Sequence, residues 1–134
     1  MTNPVDEPAV GIIGVGNMGG GMAANLLAQG WPVHVRDLDS AKEQSFKRIG
    51  AAIHVSPAQL AIHCIVTIVC VVDAVQTREV LFGLDGAAPS MRPGHAVMLC
   101  PTIAPQDVEG FAGELAERGI HSIDAPMSGG PARA

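Results

Sequence analysis

Three glycines at a fixed spacing are the first residues in this sequence whose types suggest chemistry. They lie in the segment Gly14-Val15-Gly16-Asn17-Met18-Gly19, which matches the pattern G-x-G-x-x-G. In that pattern the first glycine permits a tight turn, the second lets the backbone approach a pyrophosphate, and the third lets a helix pack close to a sheet. The segment directly follows an apolar run and opens an amphipathic one, which is the strand-to-helix context that the pattern requires. We therefore predict a dinucleotide-binding loop that presents the N-terminus of a helix to phosphate.

A carboxylate follows at the distance expected for the ribose end of such a site. Asp37 stands 21 residues after Gly16, at the end of a second apolar run. It can accept hydrogen bonds from an adenosine ribose and would repel a 2′-phosphate, which favours NAD. Arg36 could instead receive that phosphate, so NADP stays open. A turn carboxylate or a helix cap is the alternative for Asp37, and S-adenosylmethionine enzymes also place an acid at this strand end.

The elements that must position these residues alternate regularly between apolar and amphipathic runs. We expect Ser40, with Glu43 as its capping-box partner, to start the second helix, and Ser56 and Asp73 to start the third and fourth. The predicted strands are Val10–Val15, Val33–Arg36, Ala52–His54, Cys64–Val72, Ala96–Cys100 and Ile120–Ala125. The predicted helices are Asn17–Gln29, Ala41–Ile49, a short helix from Pro57, one from Asp73 to about Phe82, and Pro105–Arg118.

Strands that alternate with helices at this spacing predict a parallel sheet covered on both faces. The fold class is therefore α/β, a Rossmann-type doubly wound sheet in three layers, with residues 1–134 as one domain. Such sheets bind ligands outside the carboxyl ends of their strands, and the residues singled out here fall at such ends.

Composition excludes several other classes of function. The net charge is −5 and no run of Lys or Arg could neutralise successive phosphates, so we expect no nucleic-acid partner. The longest apolar stretch, Ile62 to Val72, is about half of a membrane span, and no signal peptide is visible. We expect no membrane partner and a soluble, cytoplasmic protein.

The cysteines and histidines show no ligand spacing. Three cysteines in or beside apolar runs predict buried free thiols in a reducing compartment. We interpret the five histidines as surface or loop residues and predict no metal site; they are His34, His54, His63, His95 and His121.

Two separate motifs resemble those of the β-hydroxyacid dehydrogenases, the family of 3-hydroxyisobutyrate dehydrogenase and L-threonate dehydrogenase. The first runs from Val10 through Gly19 and on through Met22-Ala23-Ala24-Asn25-Leu26. The second, Asp124-Ala125-Pro126-Met127-Ser128-Gly129-Gly130, is similar to the family's substrate-binding signature. The resemblance covers essentially the whole chain and implies a Rossmann domain that binds NAD, or NADP, for oxidation of a small hydroxyacid.

The resemblance also implies roles for individual residues. The glycine loop, with Val15, Asn17 and Met18 on its backbone, would hold the pyrophosphate. Val71 and Val72 would line the adenosine side, and Thr102 would contact the nicotinamide portion. The substrate carboxylate would be bound by Ser128, Gly129 and Gly130. Chemistry supports this last role, because a serine followed by two glycines forms a concave row of donors that suits an anion.

This sequence departs from the family pattern in two ways. Arg133 stands where many relatives carry glycine, which suggests a longer or more anionic acid. The family's general acid/base is a lysine on a helix that would lie beyond Ala134, and Lys42 and Lys47 are predicted to be solvated residues of the second helix. We therefore assign no catalytic residue within this chain, and expect the chain alone to be inactive.

Two further readings of the sequence remain open. The chain could be a non-catalytic nucleotide-binding module, completed by a partner chain, and a methyltransferase is a more distant alternative. The hydroxyacid dehydrogenase hypothesis includes self-association, since apolar surface could remain after the sixth strand.

Overall fold

The structure, a computed structural model, describes residues 8–127. The predicted substrate residues Ser128, Gly129 and Gly130, and also Arg133, lie outside that range. The strands are β1 Val10–Ile13, β2 Val33–Arg36, β3 Ala52–Ile53, β4 Val66–Val69, β5 Ala96–Leu99 and β6 His121–Asp124. The helices are α1 Asn17–Ala28, α2 Ser40–Arg48, α3 Pro57–Ile62, α4 Ala74–Phe82 and α5 Pro105–Ala116, with a 3₁₀ turn at Ala88–Ser90.

The six strands form one parallel sheet in the order β3-β2-β1-β4-β5-β6. This order is that of the Rossmann fold, and the predicted fold class is confirmed. The order reverses between β1 and β4, where two helices leave the sheet in opposite directions. The glycine loop lies at this switch point.

Two apolar cores, one on each face of the sheet, hold the layers together. Successive residues of a strand point to opposite faces, so Ile12 and Ile13 belong to different cores. Ile12 packs with Ala23 of α1 and with Val35, whereas Ile13 packs with residues of α3, α4 and α5 such as Leu115. Burial on both faces explains why the central strands read as nearly continuous apolar runs.

Helix starts follow local side-chain chemistry, with one correction. Ser56 and Asp73 cap α3 and α4 as predicted. The predicted cap Ser40 is wrong, because the Asp39 carboxylate accepts the N–H of Ala41 at 2.9 Å and Ser40 is already helical. Glu43 makes no capping box, since its side chain turns towards the sheet.

The strands are shorter than the apolar runs that predict them. Of the predicted strand Cys64–Val72, only Val66–Val69 pairs, because the neighbouring strands β1 and β5 have four residues each. At the edge of the sheet, β6 covers His121–Asp124 of the predicted Ile120–Ala125.

The interpretation of the histidines as surface or loop residues is wrong for His34, whereas His54, His63 and His95 lie in loops and His121 is exposed. His95 is buried and shares a hydrogen bond of 2.9 Å with Thr67, while His34 is a half-buried residue of β2. The rings of His34, His54 and His63 lie with centroids 5.0–5.4 Å apart. Burial is the main cause that lowers the pKa of His34, His54 and His95. The pKa of His54 falls to about 4.

Candidate functional site

The loop between β1 and α1 is built so tightly that two of its positions demand glycine. Gly14 has φ +94°, and a Cβ there would strike the carbonyl oxygen of Cys70, the residue that follows β4. A Cβ at Gly19 would overlap the carbonyl oxygen of Gly14 itself. These two glycines let the start of α1 lie directly against the sheet, as the G-x-G-x-x-G pattern predicts.

The middle glycine faces open space at the start of α1. Gly16 is the N-cap of this 12-residue helix, and a Cβ at Gly16 would have nothing within 4 Å. No side chain caps the helix and its first turn carries no acidic residue. The positive end of the helix dipole is therefore not neutralised by a carboxylate of its own, which is the arrangement that binds phosphate groups.

A cleft of about 440 Å³ opens beside this loop, at the carboxyl ends of β1, β2 and β4. Five of the predicted cofactor residues line it: Gly14, Gly16, Asp37, Val71 and Val72. The sheet thus brings together residues that are far apart in the chain, and does so where a doubly wound fold binds its ligand.

The carboxylate of Asp37 is fixed in place by two backbone N–H groups. Oδ2 accepts from Val15 at 2.9 Å and Oδ1 accepts from Asp39 at 2.8 Å. A carboxylate has about four lone-pair sites, so two remain for a ligand. The bond to Val15 also links the ribose end of the predicted site to its phosphate loop.

Arg36 lines the cleft and at the same time lies beside a buried acid. Its Nη1 lies 3.8 Å from Oε2 of Glu43 and 3.4 Å from the carbonyl oxygen of His54. Glu43 is 8% exposed, and its Oε2 has no hydrogen-bond partner. Arg36 is therefore the nearest counter-charge to a carboxylate that has little access to water.

The walls of the cleft carry apolar side chains that water surrounds. Leu38, Val55, Val72 and Leu84 all line the cleft and are between 78% and 93% exposed. Large apolar side chains that converge on one concavity while exposed are typical of a ligand site.

The other predicted cofactor residues surround the cleft without lining it. Val15 is buried beneath the loop, and Asn17, Met18 and Gly19 form the first turn of α1. Thr102 is exposed in the loop after β5, on the same edge of the sheet.

Sequence reasoning missed the contribution of α4 and of the loop before α3. Gln76, Glu79 and Val80 of α4 line the cleft, and Gln76 accepts a hydrogen bond from the N–H of Val72 at 3.1 Å. These residues reach the cleft because β4 lies next to β1 in the sheet. Local sequence patterns do not reveal that strand order. Lys42, predicted to be solvated, is exposed as expected but also lines the cleft.

Within residues 8–127, no group of three or more His, Cys, Asp or Glu side chains is placed to hold a metal ion. In that same range, none of the helices combines the length and the apolar character that a membrane crossing needs.

Comparison with known proteins identifies this arrangement. Residues 9–134 match the protein family described as the NAD binding domain of 6-phosphogluconate dehydrogenase. The chain belongs to this family. The NAD-binding domain is 45% identical, over 93% of its length, to L-threonate dehydrogenase of Cupriavidus necator, but it spans only 42% of that protein.

Solved structures agree with this identification of an NAD-binding domain. The crystal structure of 3-hydroxyisobutyrate dehydrogenase from Salmonella typhimurium superposes with a TM-score of 0.90 and 36% identity, covering 96% of this chain and 45% of that one. The structure of Psf3 in complex with NADP+ and 2-OPP gives a TM-score of 0.84 and 31% identity, over 90% of this chain and 43% of that one. The resemblance to hydroxyacid dehydrogenases that the two motifs predict is thereby confirmed.

Proposed function

We propose that this chain binds the cofactor for an oxidoreductase that transfers hydride between a small β-hydroxyacid and NAD. The observation that carries the proposal is the cleft at the switch point, where the uncapped start of α1 and the fixed carboxylate of Asp37 face the same space. The L-threonate and 3-hydroxyisobutyrate dehydrogenases among the relatives support the substrate class.

The proposed site holds the cofactor in three parts. The N-terminus of α1, with Gly16 at its cap, binds the pyrophosphate, and Asp37 accepts the hydroxyls of the adenosine ribose. Leu38 and Val72 line the space for the adenine, and Thr102 lies on the side of the sheet assigned to the nicotinamide. When bound, NAD would supply the hydride acceptor, and the chain's own residues would fix its position.

NAD is the preferred cofactor in this proposal, with NADP as the weaker ligand. A 2′-phosphate on the ribose would meet the negative charge of Asp37. Arg36, the cation best placed to offset that repulsion, already lies beside Glu43. Lys42 at the edge of the cleft is a flexible, hydrated charge and offers less to a phosphate than a guanidinium fork.

The substrate carboxylate is assigned to Ser128, Gly129 and Gly130, which follow β6 along the chain. Support for this comes from the end of β6 at Asp124, on the same edge of the sheet as the glycine loop. No lysine other than Lys42 and Lys47 is available within the 134 residues, and both are exposed on α2. We therefore propose that the proton of the hydroxyl group is moved by a residue outside this chain.

The proposal includes a reducing, cytoplasmic location and self-association. Three free cysteines, two of them buried, support the first. The edge strand β6, with Ile123 54% exposed, supports the second.

Substitution of Gly16 by valine tests the proposed binding site. Gly16 has φ −71° and open space around it, so the backbone tolerates a side chain that would stand where the pyrophosphate binds. We expect the affinity for NADH, measured by its fluorescence, to fall at least about tenfold, or ~1.4 kcal/mol. Gly113→Val on α5, which also has open space, is the matched control and should bind NADH normally. Equal affinities in the two variants, with unchanged far-UV circular dichroism, would refute the assignment of the loop.

A further inference from the structure

Two cysteines lie side by side at the carboxyl ends of β4 and β5. Val69 pairs with Leu99 in the parallel register, and Cys70 and Cys100 are the next residue of each strand. The Cys100 N–H continues the ladder by donating to the carbonyl oxygen of Val69 at 3.1 Å. Both side chains pack in the core on the α1 face of the sheet.

The placement of this pair suits a disulfide bond. Partner residues on neighbouring strands lie about 4.8 Å apart. Disulfides span Cα separations of roughly 4.4 to 6.8 Å, so little movement of the backbone is needed. The third cysteine, Cys64, packs in the core on the opposite face of the sheet and cannot reach either partner.

The pair also lies directly beneath the glycine loop. Cys70 lines the cleft and is partly exposed, so a small solute can reach it. Its carbonyl group is the one that excludes a Cβ from Gly14, and its Cβ lies 3.0 Å from where a Cβ of Gly19 would stand. Any movement of Cys70 would therefore change the contacts that this residue makes with Gly14 and Gly19.

The contact between the thiols changes their acidity in opposite directions. The neighbouring Cys70 thiol lowers the pKa of Cys100, and the Cys100 thiol, together with burial, raises the pKa of Cys70. Burial raises the pKa of the isolated Cys64 thiol to about 12. Thiolates are the reactive form of cysteine, so the lowered pKa favours Cys100 as the attacking thiol, and Cys70 is then the thiol that completes the disulfide.

We propose that Cys70 and Cys100 form an oxidation site at which a hydroperoxide converts two thiols into a disulfide beneath the dinucleotide loop. A thiolate of the pair attacks one peroxide oxygen, the O–O bond breaks, and water or an alcohol leaves with the proton. The second thiol then attacks the resulting sulfenic sulfur, the S–O bond breaks, and water leaves. The two sulfurs lose two electrons and the peroxide gains them. Hydride transfer requires neither sulfur, so this site goes beyond the proposed function.

The disulfide would change cofactor binding, a consequence that does rest on the proposed function. Because the turn at Gly14 rests directly on the Cys70 carbonyl group, even a small adjustment of Cys70 to the disulfide would be transmitted to the loop. Cys70 lines the open cleft, where a small reductant can reach the bond, and exposed disulfides are easily reduced. The oxidised chain should therefore bind NADH more weakly, and dithiothreitol should restore the affinity.

The test begins with the reduced 134-residue chain and a small molar excess of hydrogen peroxide. Remaining thiols are then blocked with an alkylating agent and the chain is mapped by non-reducing peptide mass spectrometry. We expect a Cys70–Cys100 cross-link that leaves only Cys64 open to alkylation. Cys64→Ser should form the same cross-link, whereas Cys70→Ser and Cys100→Ser should form none. Full alkylation of all three thiols, oxygen addition without a cross-link, or a cross-link to Cys64 would overturn the proposal.

A second arm separates this proposal from the cofactor assignment. Saturating NAD+ covers Cys70 if the cleft is the binding site, and we expect the cross-link to form several times more slowly. A cross-link that forms in the free chain supports the oxidation site whatever NAD+ does. An unchanged rate with NAD+ bound would overturn the claim that the pair lies beneath the cofactor, and would count against the proposed binding site.

Discussion

We expect cofactor choice in this domain to depend on a contact that no short motif contains. Asp37 and Arg36 are adjacent in sequence and favour different cofactors, which leaves NAD and NADP both open at that level. The structure adds Glu43, a buried acid on α2 that lies 3.8 Å from Arg36. Withdrawing Arg36 to bind a phosphate would leave this acid without its nearest counter-charge, which is costly for a buried group.

Replacement of Glu43 by glutamine should therefore improve NADPH binding. The neutral amide no longer holds Arg36, which becomes free to meet the 2′-phosphate. We expect about tenfold tighter binding of NADPH and little change for NADH, measured by fluorescence titration.

Two controls show whether the gain in NADPH affinity depends on Arg36. Glu79→Gln removes a negative charge from the same cleft at a distance from Arg36, and should give no such gain. Adding Arg36→Met to Glu43→Gln should abolish it. A gain that survives in the double variant would mean that general charge, not Arg36, sets the preference.

Single residues show where sequence reasoning succeeds and fails. The roles of Gly14 and Gly19 could be predicted because their constraint is local, a turn followed at once by a helix. Glu43 was expected to serve a capping box, since it stands three residues after Ser40. Its actual partner is on β2, and only the packing of α2 on the sheet brings the two together.

At the scale of elements, three histidines that are far apart in the sequence bring their rings into contact in the fold. His34 belongs to β2, His54 follows β3 and His63 caps the end of α3. His34 Nδ1 and His54 Nε2 lie 2.7 Å apart, a hydrogen bond that requires one of the two nitrogens to carry no proton. Helix and strand boundaries are largely predictable from caps and apolar runs. This cluster is not, because its three residues lie in different elements and show no regular spacing in the sequence.

The histidine cluster predicts a loss of stability in mild acid. The pKa of His54 is lowered to about 4 in the fold, against about 6.5 in an unfolded chain, so the unfolded state binds more protons between those values. Stability is complete above about pH 6.5 and falls as the pH drops towards 4. After allowance for its partial exposure, we expect a decrease of about 1–2 kcal/mol in the free energy of unfolding. Urea denaturation at pH 7 and pH 4.5 measures it.

His54→Gln keeps a polar group beside His34 and removes the titration, so its pH dependence should be smaller than that of the unmodified chain. His121→Gln, at an exposed position of β6, serves as the control and should leave the dependence unchanged. If all three proteins lose the same free energy between the two pH values, the cluster is not responsible.

For the molecule as a whole, the sheet order decides what this chain can do alone. It assembles a cofactor cleft, and the predicted order of alternating strands and helices was sufficient to place that cleft at the switch point. The apolar walls at Val55 and Leu84 were not foreseeable, because each lies in a loop whose position depends on the complete sheet.

The 134-residue chain should bind NADH without measurable turnover. General acid/base catalysis contributes about 10²–10⁴ in rate. Lys47 does not line the cleft, and Lys42 lines it together with Asp37 and Leu38, the residues assigned to the adenosine end of the cofactor. We expect less than about 10⁻² s⁻¹ for NADH formation from threonate, glycerate or 3-hydroxyisobutyrate, against ordinary values of about 1 s⁻¹ or more. The same sample should bind NADH in a titration. Turnover near 1 s⁻¹ that disappears in Lys42→Ala would show that this chain does contain its acid/base.

The central pairing of β1 with β4 has a consequence for how the chain folds. Val10 pairs with Val66, 56 residues later, while the glycine turn rests on the carbonyl group of Cys70. Contacts between such distant segments form slowly, because the entropy of closing a long loop is lost before the contact repays it. We therefore expect the phosphate loop to be among the last parts of the fold to take its final shape, although its sequence lies near the amino end. Recovery of NADH binding during refolding should lag behind the formation of helix.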